Sequence, residues 1–540
     1  MKKTLLLTSL VASMVAMAGT TGSVEGYNEN EATFVKNPAS ITFVAKKIGV
    51  KTEVKVNGTG FSFGGDFKAE DLELGKVTKA NYLNHSSVWA KYELPEIKGV
   101  KTYVKATVSP KFDTTPEYEY VPTLDDAKKE AKKLYEATED DTTVKNKLAD
   151  IATKEGISAE KVEAIKNAND KAAAADLLAQ DRIDALKAKN AVAKREDKGN
   201  AELEGQVSYK YDVLTFGFNS KTNFPLSNKQ YSYELADYDA SNHGSRTIKD
   251  VKDYGATVKS THKVFVESEE GKDVFVKGLK DVKANVEIKH NYAKTVAKAG
   301  DRVDYVSGEA SAKYDAVKDL ELEGKVAFKK NFKSTEKIGD YEVLGTKLFK
   351  EGSARYIHSY ELKGTYKGVK HLSLSAKPFV AHVNIAKEVT SDNKVKRNDH
   401  VAYGVELNAE YKMLNDKLTL TGKSLLAGLH DRMFDGTKTN TGVFVFDANA
   451  KYDYSVTDKF TVSPEANANL ELLVSKKADK LVTVPSLTLT PKVSAEYKPT
   501  DTLTLKGSVE APVKFGVNAA NQKFEYKQTQ VKTSLNLKYE

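Results

Sequence analysis

The sequence predicts an all-β chain: a transmembrane antiparallel β-barrel of about 18–20 strands with a helical insertion in one long loop. Three observations point there. They are an export signal at the amino end, apolar–polar alternation along most of the chain, and Tyr recurring beside short polar turns.

Residues 1–18 read as a signal peptide. Lys2 and Lys3 form the basic start, residues 5–16 the apolar stretch, and Ala16-Met17-Ala18 the small-x-small cleavage site before Gly19. The apolar stretch falls short of the ~20 residues that a spanning helix needs, and no later stretch approaches that length. Cys is absent, which excludes disulfides and a lipid-anchoring Cys after the cleavage site. Removing 18 of 540 residues leaves 522, enough for several soluble domains. The hydrophobic fraction of 40% and mean hydropathy of −0.49 suit a soluble protein and a barrel equally, because only alternate barrel residues meet lipid. The net charge of +8 becomes +6 once Lys2 and Lys3 are lost. Spread over this length, it is too mild to argue for nucleic acid.

Alternation carries the strand prediction. Leu503, Leu505, Gly507, Val509, Ala511, Val513 and Phe515 interleave with Thr504, Lys506, Ser508, Glu510, Pro512, Lys514 and Gly516. Val405, Leu407, Ala409 and Tyr411 interleave in the same way with Glu406, Asn408, Glu410 and Lys412. So do Val100, Thr102, Val104, Ala106 and Val108 with Lys101, Tyr103, Lys105, Thr107 and Ser109. Successive strand residues point to opposite faces, so each segment has one apolar and one charged face. A soluble sandwich rarely needs strands so long or so many.

A unit of about 45 residues recurs, in which a strand ends in Tyr and a polar turn follows. The Tyr are Tyr92, Tyr209 with Tyr211, Tyr314, Tyr366, Tyr411, Tyr452 and Tyr497. Two further turns, at residues 47–50 and between 267 and 282, lack it. Longer connections at 224–250, 332–353 and 388–398 lie between the turns. Short turns on one side and long loops on the other suit a barrel with its short side periplasmic. Tyr92, Tyr209, Tyr314, Tyr366, Tyr411, Tyr452, Tyr497 and Tyr539 would then form a periplasmic aromatic girdle. Nine turns join eighteen strands, residues 531–539 supply another, and residues 20–28 are the candidate that makes the number even.

One segment departs from this pattern. Residues 123–198 are rich in Ala, Lys, Glu and Asp, and Val144, Leu148, Ile151 and Ala175, Ala179, Ile183, Leu186 follow the helical period. Gly156 would end one helix and Ser158 cap the next. The division is signal peptide 1–18, barrel 19–122, helical insertion 123–198 and barrel 199–540. The insertion is extracellular or folded back into the pore.

These features together resemble the bacterial outer-membrane porin-like β-barrels. The resemblance covers nearly all of the chain outside the insertion and singles out no subfamily. It implies an outer-membrane location, contact with outer-membrane lipid, and a C-terminal strand read by the barrel-insertion machinery. That family usually ends on an aromatic residue; here Tyr539 keeps the parity of Leu535 and Leu537, and Glu540 follows. With neither a plug-like domain nor a passenger ahead of the strands, plugged receptors and autotransporters are not expected.

No residue group predicts catalysis, a metal or a cofactor. Gly422-Lys423-Ser424 lacks the upstream glycine of a phosphate loop, since Lys417 stands there. Gly58-Thr59-Gly60 reads as a glycine-softened strand. Residues 431–436 have Met433 where a calcium loop needs a ligand. His358, His371 and His382 could meet across strands without making a metal motif. The charged parity offers the candidate pore-lining set: Lys101, Lys105, Lys283, Lys289, Lys325, Lys329, Glu406, Glu410, Lys423, Lys492, Glu496, Lys506, Glu510 and Lys514. The expected function is a passive channel for small hydrophilic solutes and ions, weakly anion-preferring, with oligomers left open. The alternative is an adhesin or surface-interaction barrel that uses the insertion and the long loops.

Overall fold

A computed structural model of the chain describes residues 20–35, 40–73, 85–111, 124–136, 138–155, 157–191, 194–195, 198–227, 229–235, 246–253, 258–292, 303–332, 341–343, 346–349, 356–389, 395–432, 438–477, 480–518 and 523–539. The signal peptide, Gly156, Met433 and Glu540 lie outside them.

Alternating segments of this length pair with their chain neighbours, and the result is a closed antiparallel barrel of twenty strands. The first, Thr20–Val35, pairs with Ser40–Val56 on one side and with the last, Phe524–Tyr539, on the other. Leu503–Glu510 and Val513–Val517 are two pieces of one strand, both paired with the last. Closure leaves no edge, so every strand backbone has a partner on each side.

Nine turns lie at one end, which also holds Thr20 and Tyr539. Four of them, at 212–213, 370–371, 458–459 and 501–502, have two residues each. The predicted turn at 47–50 is instead the middle of Ser40–Val56, and the real turn is at 57–60. The cause is an extra residue, Lys46, where the register shifts between Glu29 and Asn30. The apolar set therefore switches from Ile41 and Phe43 to Ile48 and Val50, and the break in alternation imitates a turn. Gly58 and Gly60 are not strand glycines. They have φ of 76° and 70° in that turn, and a Cβ on Gly60 would stand 2.1 Å from the Glu93 carbonyl oxygen.

The far end differs from expectation in three places. Most of 388–398 belongs to strands, since Leu372–Val389 and Val395–Met413 pair out to Val389 opposite Val395. The connection at 332–353 contains a hairpin, Tyr341–Val343 paired with Thr346–Phe349. The connection at 224–250 contributes Lys229–Leu235 and Arg246–Asp253, which pair with each other, and Lys229–Leu235 also pairs with Lys194–Arg195.

Residues 113–198 and 225–256 form a second compact unit. Its helices are α1 (Leu124–Lys132), α2 (Asp141–Lys154), α3 (Ala159–Lys166) and α4 (Lys171–Ala191). Val144 and Leu148 of α2, Ile165 of α3 and Ala175, Leu178 and Ala179 of α4 make one core and are wholly buried. Asp140 caps α2 by accepting the Thr143 N–H at 2.9 Å. Ser158 stands at the cap of α3, but its side chain makes no cap hydrogen bond. The helical insertion expected at 123–198 falls within this unit, which also takes in residues 225–256.

Candidate functional site

The register sorts strand residues onto two faces. Tyr360, Leu362, Val380, Tyr403, Leu426, Val493 and Leu535 stand on the apolar one, each 38–57% exposed. Tyr92, Tyr209, Tyr314, Tyr366, Tyr411, Tyr497 and Tyr539 stand near the short-turn end of this face, 38–47% exposed. Tyr452 shares the face but is half-buried, with its ring against that of Tyr454. A second band occurs eight residues along the strand from Tyr366, where His358 lies between Tyr356 and Tyr360 with His382 5.0 Å away. Eight residues of a strand tilted about 40° rise ~20 Å, close to the apolar band of a membrane barrel. Such a belt on a closed barrel is the lipid-facing surface of an outer-membrane protein.

The other face is concave. Tyr103 and Asn219 sit on strands separated by a third, ~10 Å apart in the sheet. Yet the Tyr103 hydroxyl donates to Glu204 at 2.8 Å, Asn219 donates to the same oxygen at 2.9 Å, and Asn219 lies 3.4 Å from the Tyr103 hydroxyl. Side chains converge in this way only on the inside of a curved sheet. Beside them is a recess of about 660 Å³ whose wall includes Glu204, Asn219, Thr261, Lys283, Glu287 and Tyr305.

Every residue of the predicted pore-lining set stands on this inner face. Many are brought into ion pairs: Lys506 with Glu496 at 2.8 Å, Lys325 with Glu309 at 2.9 Å, and Glu406 with Lys377 at 2.8 Å. Glu510 meets Lys532 at 3.3 Å, Lys101 meets Glu96 at 3.6 Å, Glu410 meets Lys412 at 3.6 Å, and Lys492 meets Glu465 at 3.7 Å. Lys289 and Lys329 approach the Tyr305 ring from 5.6 and 4.2 Å, and Lys105 lies over Trp89 at 5.0 Å. Lys283, Lys423 and Lys514 share the face. The set omitted the lumen aromatics Trp89, Tyr103 and Tyr305; an aromatic residue on the charged parity was their signal.

His358 and His382 do meet, on the apolar face. His371 sits in the 370–371 turn, 3.4 Å from Asp416. Among the described residues no group of three His, Asp or Glu could hold a metal. Gly422, Lys423 and Ser424 lie within the strand Leu418–Arg432, as does Asp431, whose carboxylate contacts His400 at 2.5 Å.

No family model matches the sequence, and no curated protein matches it. Many solved structures do resemble it. The ferripyoverdine receptor of the outer membrane of Pseudomonas aeruginosa is 10% identical over 97% of this chain and 72% of its own, at a TM-score of 0.45. The ferric-catecholate import receptor Fiu of E. coli K12 is 10% identical over 95% and 81%, at 0.37. A loop-deletion mutant of the outer-membrane protein OmpT of Vibrio cholerae is 11% identical over 64% and 91%, at 0.30.

Proposed function

We propose that this chain is a passive outer-membrane channel for small hydrophilic solutes and ions. The observation that carries the reading is the inner face of the closed barrel, where charges of both signs line the strands from Lys101 to Lys538. A twenty-strand barrel is too wide for wall side chains to fill, unlike an eight-strand one. Fixed charge on such a wall biases which ions pass, with no chemistry and no cofactor. The Lys of the wall outnumber its Glu, which supports a weak anion preference, and the ion pairs keep it small. The belt supplies the lipid contact, and the last strand is what the insertion machinery would read.

Planar-bilayer recording of the purified protein tests this. Discrete ohmic steps with a reversal potential slightly favouring anions are expected. A protein that inserts yet passes no current would overturn the reading. It would favour instead a surface-interaction barrel, which the separate core of residues 113–198 and 225–256 supports.

A further inference from the structure

Four neighbouring strands break the rule that their inner face is polar. Phe379, Ala402, Leu425, Val443 and Val445 share the parity of Lys377, Glu406 and Lys423, so they stand on the lumen wall. Their exposures are 5, 0, 0, 3 and 1%, whereas lumen side chains such as Lys506 and Lys101 are 59% and 65% exposed. Their neighbours on the outer face are also apolar, giving runs such as Val443-Phe444-Val445-Phe446. Strands that read apolar on both faces are covered on both.

Lipid covers the outer face. The inner cluster has one described member from outside the wall: Leu348, 6% exposed, from the hairpin Tyr341–Val343 with Thr346–Phe349. That hairpin belongs to the far-end connection between Leu320–Asn331 and Tyr356–Val369. The covered residues stand at mid-strand, with Leu425 seven residues from either end of Leu418–Arg432 and Val445 seven from either end of Lys438–Tyr452, so the hairpin reaches well down the wall from the far end.

We propose that this hairpin turns inward and is pinned to the apolar wall patch by Leu348, forming a strap that narrows the channel. Water on a bare apolar patch is unfavourable, so the strap stays seated without a ligand. A leucine is the right residue to seat it, being apolar and free of polar atoms.

The chain has no Cys, so single thiols can be read cleanly. Leu348→Cys in the lipid-inserted barrel should react with a charged maleimide at least tenfold more slowly than Lys506→Cys, and equally fast once denatured. Leu348→Asp should enlarge the single-channel step, and Leu348→Met should leave it unchanged. Should Leu348→Asp fail to assemble, Leu348→Ala takes its place, with a smaller increase expected. Equal labelling rates in the folded barrel, or an unchanged step in the Asp or Ala variant, would overturn the strap. Its conductance arm rests on the channel reading, but the labelling arm does not: slow labelling in a barrel that passes no current keeps the strap and removes the channel.

Discussion

Tyr539, in the last strand, lies between Val24 of the first strand and Leu503 of the strand before it, in antiparallel register with both. That arrangement makes the final strand the seam of the barrel. A chain truncated after Val517 would expose two strand edges in a solvent that cannot satisfy their backbone groups. It should lack the compact, heat-modifiable form on a detergent gel that is expected of the closed full-length barrel. A truncated chain retaining that form would mean that closure through Tyr539 is dispensable.

Parity makes a second prediction from residues of one strand. Leu505 faces lipid between Tyr497 and Leu537, whereas Lys506 faces the lumen beside Glu496. Leu505 neighbours the girdle residue Tyr497, so the charge is better placed at Val509, on the same face and mid-strand, where Val509→Arg should cost about 2–4 kcal/mol of barrel stability. Lys506→Ala breaks a solvent-exposed pair and should cost under ~1 kcal/mol. Urea titration of the lipid-inserted protein compares the two, and equal midpoints would reverse the assignment of faces.

What the sequence revealed followed the physics of each signal. Period-two alternation is local and was legible wherever one residue in two meets lipid, as from Leu503 to Phe515. A bulge is local too, but its effect resembles a turn, so the extra residue Lys46 produces an expected turn at 47–50 that the strand does not make. The pairing of Lys194–Arg195 with Lys229–Leu235 joins residues far apart in the chain and leaves no local trace. Leu348 is hidden for the same reason. Its target patch does leave a local trace, since Val443-Phe444-Val445-Phe446 does not alternate, but that run carries no sign of the hairpin that covers it.

The ion pairs give a selectivity prediction. Glu496 holds Lys506 at 2.8 Å and Lys498 at 2.7 Å. Glu496→Gln leaves both cations uncompensated and should shift the reversal potential in a dilute salt gradient further toward anions. Lys506→Gln should shift it the other way. Both effects should shrink near 1 M salt, where the screening length is about 3 Å. Shifts of the same sign would show that the Lys506–Glu496 pair does not set the preference.

The helical unit should respond to both core truncation and acid. Leu148 is wholly buried, so Leu148→Ala should cost about 2–5 kcal/mol in that unit. The Asp140 carboxyl lies below the ordinary carboxylate range because it accepts hydrogen bonds from Thr143 at the helix start. A depressed native value stabilises the folded unit above the unfolded pKa, and the gain is lost as pH falls through the native one. Helical circular dichroism should therefore melt at lower temperature in strong acid, and Asp140→Asn, which keeps a cap without the charge, should flatten that dependence. An unchanged acid profile would show that Asp140 does not couple α2 to pH.

The last prediction separates the barrel from the unit it carries. Val100–Pro110 and Gly199–Tyr211 pair directly from Val100 opposite Tyr209 to Pro110 opposite Gly199. Leu214–Pro225 likewise pairs with Lys259–Ser268 from Leu214 opposite Ser268 to Asn223 opposite Lys259. The barrel ladder is thus complete on both sides of residues 113–198 and of 225–256. Loop length weighs little against it, about 0.6 kcal/mol per doubling, so short linkers should close both strand pairs. Replacing residues 113–198 alone would remove the partner strand Lys194–Arg195 and leave Lys229–Leu235 with only Arg246–Asp253. Replacing both segments with Gly/Ser linkers should therefore give a barrel that assembles as well as the full chain, whereas the single replacement should assemble less cleanly. Connections this long with structure of their own usually carry a task, so the doubly shortened barrel should also differ in conductance or in surface binding. Failure of that barrel to insert would make the helical unit part of the folding unit of the barrel.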